Sequence, residues 1–367
     1  MVITCSQNEL LKGLNIVSKA VPVRTTMSIL ECILIDASTN DIRLTSNDME
    51  LGIETIVPGS IKERGRVALD AKIFLDMVRS LPNNQVTLTS DDRFVTHIDC
   101  ENAHFMVPGK NGEDFPYIPV IPRNTPIELS QFTLRETIRQ TIFSTLENDK
   151  NRLMAGELFE VKGENLRVAS LDGHRISIRY IKLKDTYQDM SVIVPAKTLN
   201  EIAKIISGSL DNVVKIYFSD NHAIFEFDMT TVVSRLIEGE FFHIDKMLSN
   251  DYETKLLINR RDLMDSIGRS MLMVNETDKK PIVLDIYDQT FNMTVSTFRG
   301  TFQEDLTMVK EGRDIKIAFN PKFIMEALRA VDDENVSMYL LTPRSPLFIR
   351  DDAGAYVYLI LPVNFNG

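Results

Sequence analysis

The chain is poor in the patterns that cross-link, ligate or anchor a protein. Its three cysteines, Cys5, Cys32 and Cys100, are odd in number, widely spaced and without a C-x-x-C pair, so neither a disulfide framework nor a zinc site is indicated. A reducing cytoplasm fits that usage. The longest apolar run, Tyr356 to Val363, is far short of the roughly 20 residues that span a bilayer. Met1 to Lys12 has no basic start followed by an apolar core, so neither export nor membrane attachment is expected.

Catalytic and cofactor signatures are also missing. The histidines, His97, His104, His174, His222 and His243, fall into no H-E-x-x-H or other ligand spacing, and there is no P-loop, G-x-S-x-G or G-x-G-x-x-G. Asp172 and His174 sit close enough in sequence to suggest acid-base work, but no nucleophile accompanies them by motif. The expectation is a non-catalytic chain with no metal and no cofactor.

Positive charge is in short supply: 41 Lys and Arg against 52 Asp and Glu, for a net charge of -11. Phosphate binding is driven by Lys and Arg displacing counterions, so this total argues against nucleic acid unless the cations are gathered in one place. The 367 residues suggest two or three domains, and 44% hydrophobic with 25% charged residues is ordinary globular composition.

What the sequence does have is a repeat. Ala71 to Leu81 (AKIFLDMVRSL), Ala196 to Ile206 (AKTLNEIAKII) and Pro321 to Val331 (PKFIMEALRAV) start 125 residues apart, twice. Their apolar positions coincide at i, i+3, i+4, i+7: Phe74, Met77, Val78, Leu81; Leu199, Ile202, Ala203, Ile206; Ile324, Ala327, Leu328, Val331. These are three copies of one amphipathic helix. A second set, Asn8 to Ala20, Ser130 to Leu146 and Asn259 to Met273, has apolar anchors four apart. Each carries a small residue, Gly13, Thr137 or Ser266, expected to let paired helices approach closely. Between helices the period drops to two and β-branched residues dominate, as in Ile29 to Ser46, Gln85 to Ile98, Leu158 to Tyr180, Val213 to Phe227, Ile282 to Thr297 and Val336 to Ile349, which read as strands.

The fold class that follows is α+β. Three similar domains each place two helices on antiparallel sheets in two pseudo-repeated halves. Pro116 to Pro126 and the polar stretch Leu248 to Thr254 read as connectors, dividing the chain near 1–122, 127–248 and 254–367.

With the first set counted as Asp70 to Leu81, Ala196 to Ser207 and Asn320 to Val331, the six helices hold 13 Lys and Arg against 8 Asp and Glu, so the acidity lies in strands and loops. Basic positions recur in register: Lys72 and Arg79, Lys197 and Lys204, Lys322 and Arg329, seven apart each time and nearly on one face. A duplicated helix with a merely solvated face is the plain alternative, in which Asp76, Glu201 and Glu326 form i, i+4 pairs with the lysines. If three domains turn their helices to one side and two chains close head to tail, the helices line a basic hole. Such a wall holds phosphates of any sequence and permits sliding.

Arg24-Thr-Thr-Met-Ser-Ile-Leu30, Leu44-Thr-Ser-Asn-Asp-Met-Glu50, Asp114-Phe-Pro116, Ala169-Ser-Leu-Asp-Gly-His-Arg175, Phe319-Asn320 and Tyr358-Leu-Ile-Leu-Pro362 carry a resemblance over the whole chain. In order and spacing they resemble the bacterial beta clamp, the sliding clamp of DNA polymerase III. The resemblance implies a ring-shaped homodimer on double-stranded DNA that tethers the replicative polymerase, the clamp loader, repair polymerases and mismatch-repair proteins. It implies DNA contacts by Arg24 and Lys72 and by a loop at Asn148, Arg152 and Leu153, where aromatic residues of some members are replaced by Arg152 and Leu153. With the repeated helix cations, the expected DNA-binding set is Arg24, Lys72, Arg79, Asn148, Arg152, Lys197, Lys204, Lys322 and Arg329.

The same resemblance implies a hydrophobic groove for short linear peptides with Leu and Phe anchors, formed by Met154, Leu171, Gly173, His174, Arg175, Ile176, Phe242, Met247, Asn320, Ser345, Pro346, Leu359, Leu361 and Pro362. Phe242 stands where the family commonly has proline, and Val363-Asn364-Phe365-Asn366-Gly367 replaces a short Met-Arg ending. Ring closure is implied through Phe105 and Val107 of one chain and Leu272 and Met273 of the other. A β-rich adaptor without DNA, or a hydrolase using Asp172 and His174, are the competing readings.

Overall fold

Six helices alternate with antiparallel strands along residues 1–123, 125–146, 151–274 and 280–365, the residues described by the computed structural model. The helices are α1 (Gln7–Val17), α2 (Ala71–Ser80), α3 (Gln131–Thr141), α4 (Ala196–Ile205), α5 (Arg260–Met271) and α6 (Pro321–Ala330). Side chains just ahead of them accept the first free backbone N–H groups. Asp70 takes that of Ile73 (2.9 Å), Ser130 that of Thr133 (3.0 Å), Asn259 those of Arg261 and Asp262 (3.0 and 3.2 Å), and Asn320 that of Lys322 (3.0 Å), ahead of Pro321 at the first position.

The helices are shorter than their periodicity suggested. The stretch expected as helix from Asn8 to Ala20 tightens into a 3-10 turn at Ser18–Ala20, and that from Ser130 to Leu146 does so at Ile142–Ser144. At those junctions Ser18 donates to Asn15 O (3.0 Å) and Thr141 to Thr137 O (2.7 Å), local bonds of the kind that compete with helix propagation.

Compact packing divides the chain into two units, Met1–Arg135 with Asn200–Leu236, and Glu136–Leu199 with Ile237–Gly367. The first holds a five-stranded sheet in the order Gly59–Glu63, Val2–Ser6, Gln85–Ser90, Val95–Cys100, Ala103–Pro108. It also holds a nine-stranded sheet in which Leu51–Val57 pairs with Thr230–Arg235, with Thr55 opposite Thr230 and their hydroxyls 2.9 Å apart. The second holds a ten-stranded sheet in which Arg175–Pro195 pairs with Tyr356–Ile360, Ile176 lying opposite Leu359. Each large ladder thus joins strands from different sequence thirds, and the packing units cut through the middle third.

Helix burial follows the periodicity. Phe74, Val78 and Leu81 are buried in the first unit, as are Ile324, Ala327, Leu328 and Val331 in the second. Each large apolar side chain so buried stabilises the fold by about 1.5–3 kcal/mol. α1 packs beside α2, where Gln7 donates to Val78 O (2.8 Å), and α5 beside α6. The small residues act differently from expectation. A Cβ on Gly13 would stand 2.7 Å from Val57 Cγ2 and 3.0 Å from Leu44 Cδ1, so glycine lets α1 lie on the sheet rather than on α2. Ser266 likewise faces a strand, donating to Glu304 at 2.7 Å.

Candidate nucleic-acid and peptide interfaces

The repeated cations Lys72, Arg79, Lys197, Lys204, Lys322 and Arg329 are all exposed, each on a helix whose other side is buried. Their carboxylate partners differ in part from the sequence reading. Asp76 pairs with Arg79 (3.1 Å) and Glu201 with Lys204 (2.7 Å), three residues on, while Glu326 makes the expected i, i+4 contact, with Lys322 at 3.8 Å. Exposed pairs of this kind are worth at most about 1 kcal/mol, so a phosphate can displace them. Arg24 and Arg152 are also exposed, on segments following α1 and α3. Asn148 lies outside the described residues.

Every groove residue named above falls in the second unit. Asp172 shapes the turn at residues 172–175: its Oδ1 accepts the N–H groups of His174 (2.9 Å) and Arg175 (3.1 Å), and Gly173 takes φ +85°, where a side chain is strained. Arg175 is only 7% exposed, and a buried guanidinium must be satisfied. Its Nε donates to Asp172 Oδ2 (2.9 Å), its other nitrogens reach Glu326 and Phe143 O, and it lies over the rings of Phe143 (5.3 Å) and Phe323 (4.5 Å). The His174 ring stacks on Phe323 at 6.0 Å. Asp172 is therefore committed to its own turn and to Arg175.

Beyond that turn, the residues expected in the groove lie along the chain's extended last segment and in an apolar cluster. Leu361 N–H donates to His174 O and Val363 N–H to Ala318 O, both at 2.9 Å, so the segment after Ile360 passes from the turn to the strand that precedes α6. Leu171, Ile176 and Leu359 are buried together, with Met154 and Phe242 half-buried against them. Leu153, expected on the DNA loop, packs on this same cluster, lying 2.8 Å from where a Cβ on Gly239 would stand. Met247 and Leu361 are exposed, Asn320 caps α6, and Ser345 and Pro346 lead into the strand Leu347–Arg350. Phe143, Phe323 and the tie from Glu326 to Arg175 were missed by sequence reasoning. Phe323 lies off the buried stripe of α6, and no local pattern signals a partner 151 residues away.

Of the residues expected at a subunit contact, Phe105 and the buried Val107 fall on a strand at the edge of a sheet, and Leu272 and Met273 fall just beyond α5. Phe105 and Val107 lie on Ala103–Pro108, the outermost strand of the five-stranded sheet. In Gly300–Gly312, residues 300–307 pair with Thr290–Thr297 and residues 308–312 with Thr254–Asn259. Among the described residues, 300–307 thus pair on one side only. Arg269 of α5 grips this half through Glu304 (2.6 Å), and Leu272, just beyond α5, is 73% exposed. Among the described residues no helix is long and apolar enough to cross a membrane.

Repeated pairs of helices on antiparallel sheets, with cations on matching outer faces, define a protein of the three-domain clamp fold. Models of the DNA polymerase III beta subunit match the chain in three parts, the N-terminal domain over residues 1–119, the central domain over 128–243 and the C-terminal domain over 245–364. The beta sliding clamp of Staphylococcus epidermidis is 30% identical, with 99% of each chain covered. A structure described as a putative DNA polymerase III beta subunit from Eubacterium rectale is 59% identical with a TM-score of 0.97, and the DNA polymerase sliding clamp of Bacillus subtilis is 25% identical with a TM-score of 0.96. Both are covered over 100% of each chain. The chain belongs to the DNA polymerase III beta subunit family, the sliding clamps of that polymerase.

Proposed function

We propose that two copies close head to tail into a ring around duplex DNA, slide along it without sequence preference, and tether partner proteins through the groove at residues 172–175. The observation that carries this is the set of six exposed cations at matching positions of α2, α4 and α6. A wall of such cations attracts phosphates, which carry no base code, while the acidic remainder of the chain repels DNA elsewhere. Arg24 and Arg152 extend the wall. The domains that supply it are residues 1–122, 127–248 and 254–367.

Ring closure joins the open edge at Ala103–Pro108 of one copy to residues 300–307 of the other, with Phe105 and Val107 meeting Leu272 and Met273. Open edges are an aggregation hazard that such pairing removes. The groove takes short peptides of the replicative polymerase, clamp loader, repair polymerases and mismatch-repair proteins, their Leu and Phe anchors entering the cluster around Leu171 and Leu359. The chain itself is non-catalytic, works in the cytoplasm and serves the polymerase by retention. Sedimentation tests the ring. The account expects the mass of two chains, and that of one chain for Leu272→Asp; a wild-type protein that sediments as one chain at micromolar concentration contradicts it.

A further inference from the structure

We propose that Glu326 is the positioning residue of the peptide groove, holding the turn at residues 172–175 against α6 through Arg175. The inference rests on the groove reading above and assigns a role to a side chain outside the expected groove set. Asp172 neutralises Arg175 from within the same turn, three residues away, so it cannot fix the turn against any other element. Glu326 reaches the guanidinium from α6 and can.

Two neighbours, one on α6 and one at its cap, show what this tie controls. Phe323, three residues earlier, lies under both the Arg175 guanidinium and the His174 ring, and Asn320, three earlier again, caps the helix. Arg175 and His174 on the turn, and Asn320 at the cap of α6, all belong to the expected groove. Glu326 therefore ties the two walls by an ion pair where it meets Arg175. A groove pre-set in its binding shape spares the ordering cost of association.

Glu326 also faces the solvent side. Its second carboxylate oxygen lies 3.8 Å from Lys322 Nζ, on a side chain that is 65% exposed. Removing the carboxylate should act in opposite directions, loosening the groove while freeing Lys322 for phosphate. A merely damaged fold loses both properties together.

The test uses the full chain and a fluorescein-labelled pentapeptide with Leu and Phe anchors, read by fluorescence polarisation, alongside retention of the loaded protein on nicked circular DNA. Glu326→Ala should bind the peptide about tenfold more weakly, the scale of one charge-assisted hydrogen bond, with retention unchanged or longer. Glu326→Gln, whose amide oxygen still accepts from Arg175, should fall between. Wild-type affinity in both variants overturns the proposal and leaves the groove reading standing. Loss of peptide binding and DNA retention together in both variants also overturns it, as a fold defect. Absence of peptide binding by the wild-type chain removes the groove reading and the proposal with it.

Discussion

Glu157, the second residue of the strand Gly156–Leu171, is a fully buried carboxyl, and neither of its oxygens has a hydrogen-bond partner among the described residues. The Thr141 hydroxyl, the polar group that draws it toward ionisation, already donates to Thr137 O, and burial pushes the carboxyl from the ordinary 4.5 up to about 8. The unfolded chain gives up this proton near pH 4.5, while the folded chain keeps it to about pH 8. Unfolding between those limits therefore releases a proton, and stability falls as pH rises through the window, levelling off above the folded value. At about 1.4 kcal/mol per pH unit, this one group costs roughly 2 kcal/mol between pH 6 and pH 7.5. Glu157→Gln keeps the shape and cannot ionise. Its urea midpoint, followed by circular dichroism at several pH values across that window, should gain on the wild type steadily as pH rises. Parallel curves for the two proteins would refute the reasoning, because the slope and not the offset is the signature of the buried carboxyl.

Three further outcomes are expected. Charge reversal of Lys72, Lys197 and Lys322 to Glu should shorten retention on DNA and lower the salt slope by about 0.9 for each phosphate no longer neutralised, with the two-chain mass intact; unchanged loading contradicts the basic wall. Aspartate at both Met154 and Leu361 should abolish binding of the labelled peptide while leaving the ring whole, and normal binding means the groove lies elsewhere. Arg175→Met leaves Asp172 and Glu326 without their shared cation, which should cost about 3–5 kcal/mol in urea unfolding; a loss below about 1 kcal/mol would show that the guanidinium is not the knot described.

The helices were legible because each carries its own evidence. The stripe Phe74, Val78, Leu81 announces a buried face, and the same stripe at Ile324, Leu328, Val331 announces a copy. Their ends were less so, since Ser18 and Thr141 stop the α-helical ladder through local side-chain bonds that periodicity does not register. Which carboxylate meets which cation on the helix face turned on rotamers, and Asp76 chose Arg79 over Lys72. The ladders Leu51–Val57 with Thr230–Arg235 and Arg175–Pro195 with Tyr356–Ile360 were beyond reach, because alternation marks a strand and not its distant partner. The proposed groove divides the same way. Its turn stood out in Asp172-Gly173-His174-Arg175, whereas Phe323 and Glu326 gain their roles only once α6 is packed against that turn.

Encirclement is the claim on which retention, sliding and tethering all depend. The protein should be loaded by a clamp loader onto nicked circular DNA, separated from free protein, and the DNA then cut once. The account predicts that it stays on the circle and runs off the new ends within the sliding time. Retention that is the same on circular and linear DNA, or failure to load at all, would contradict it.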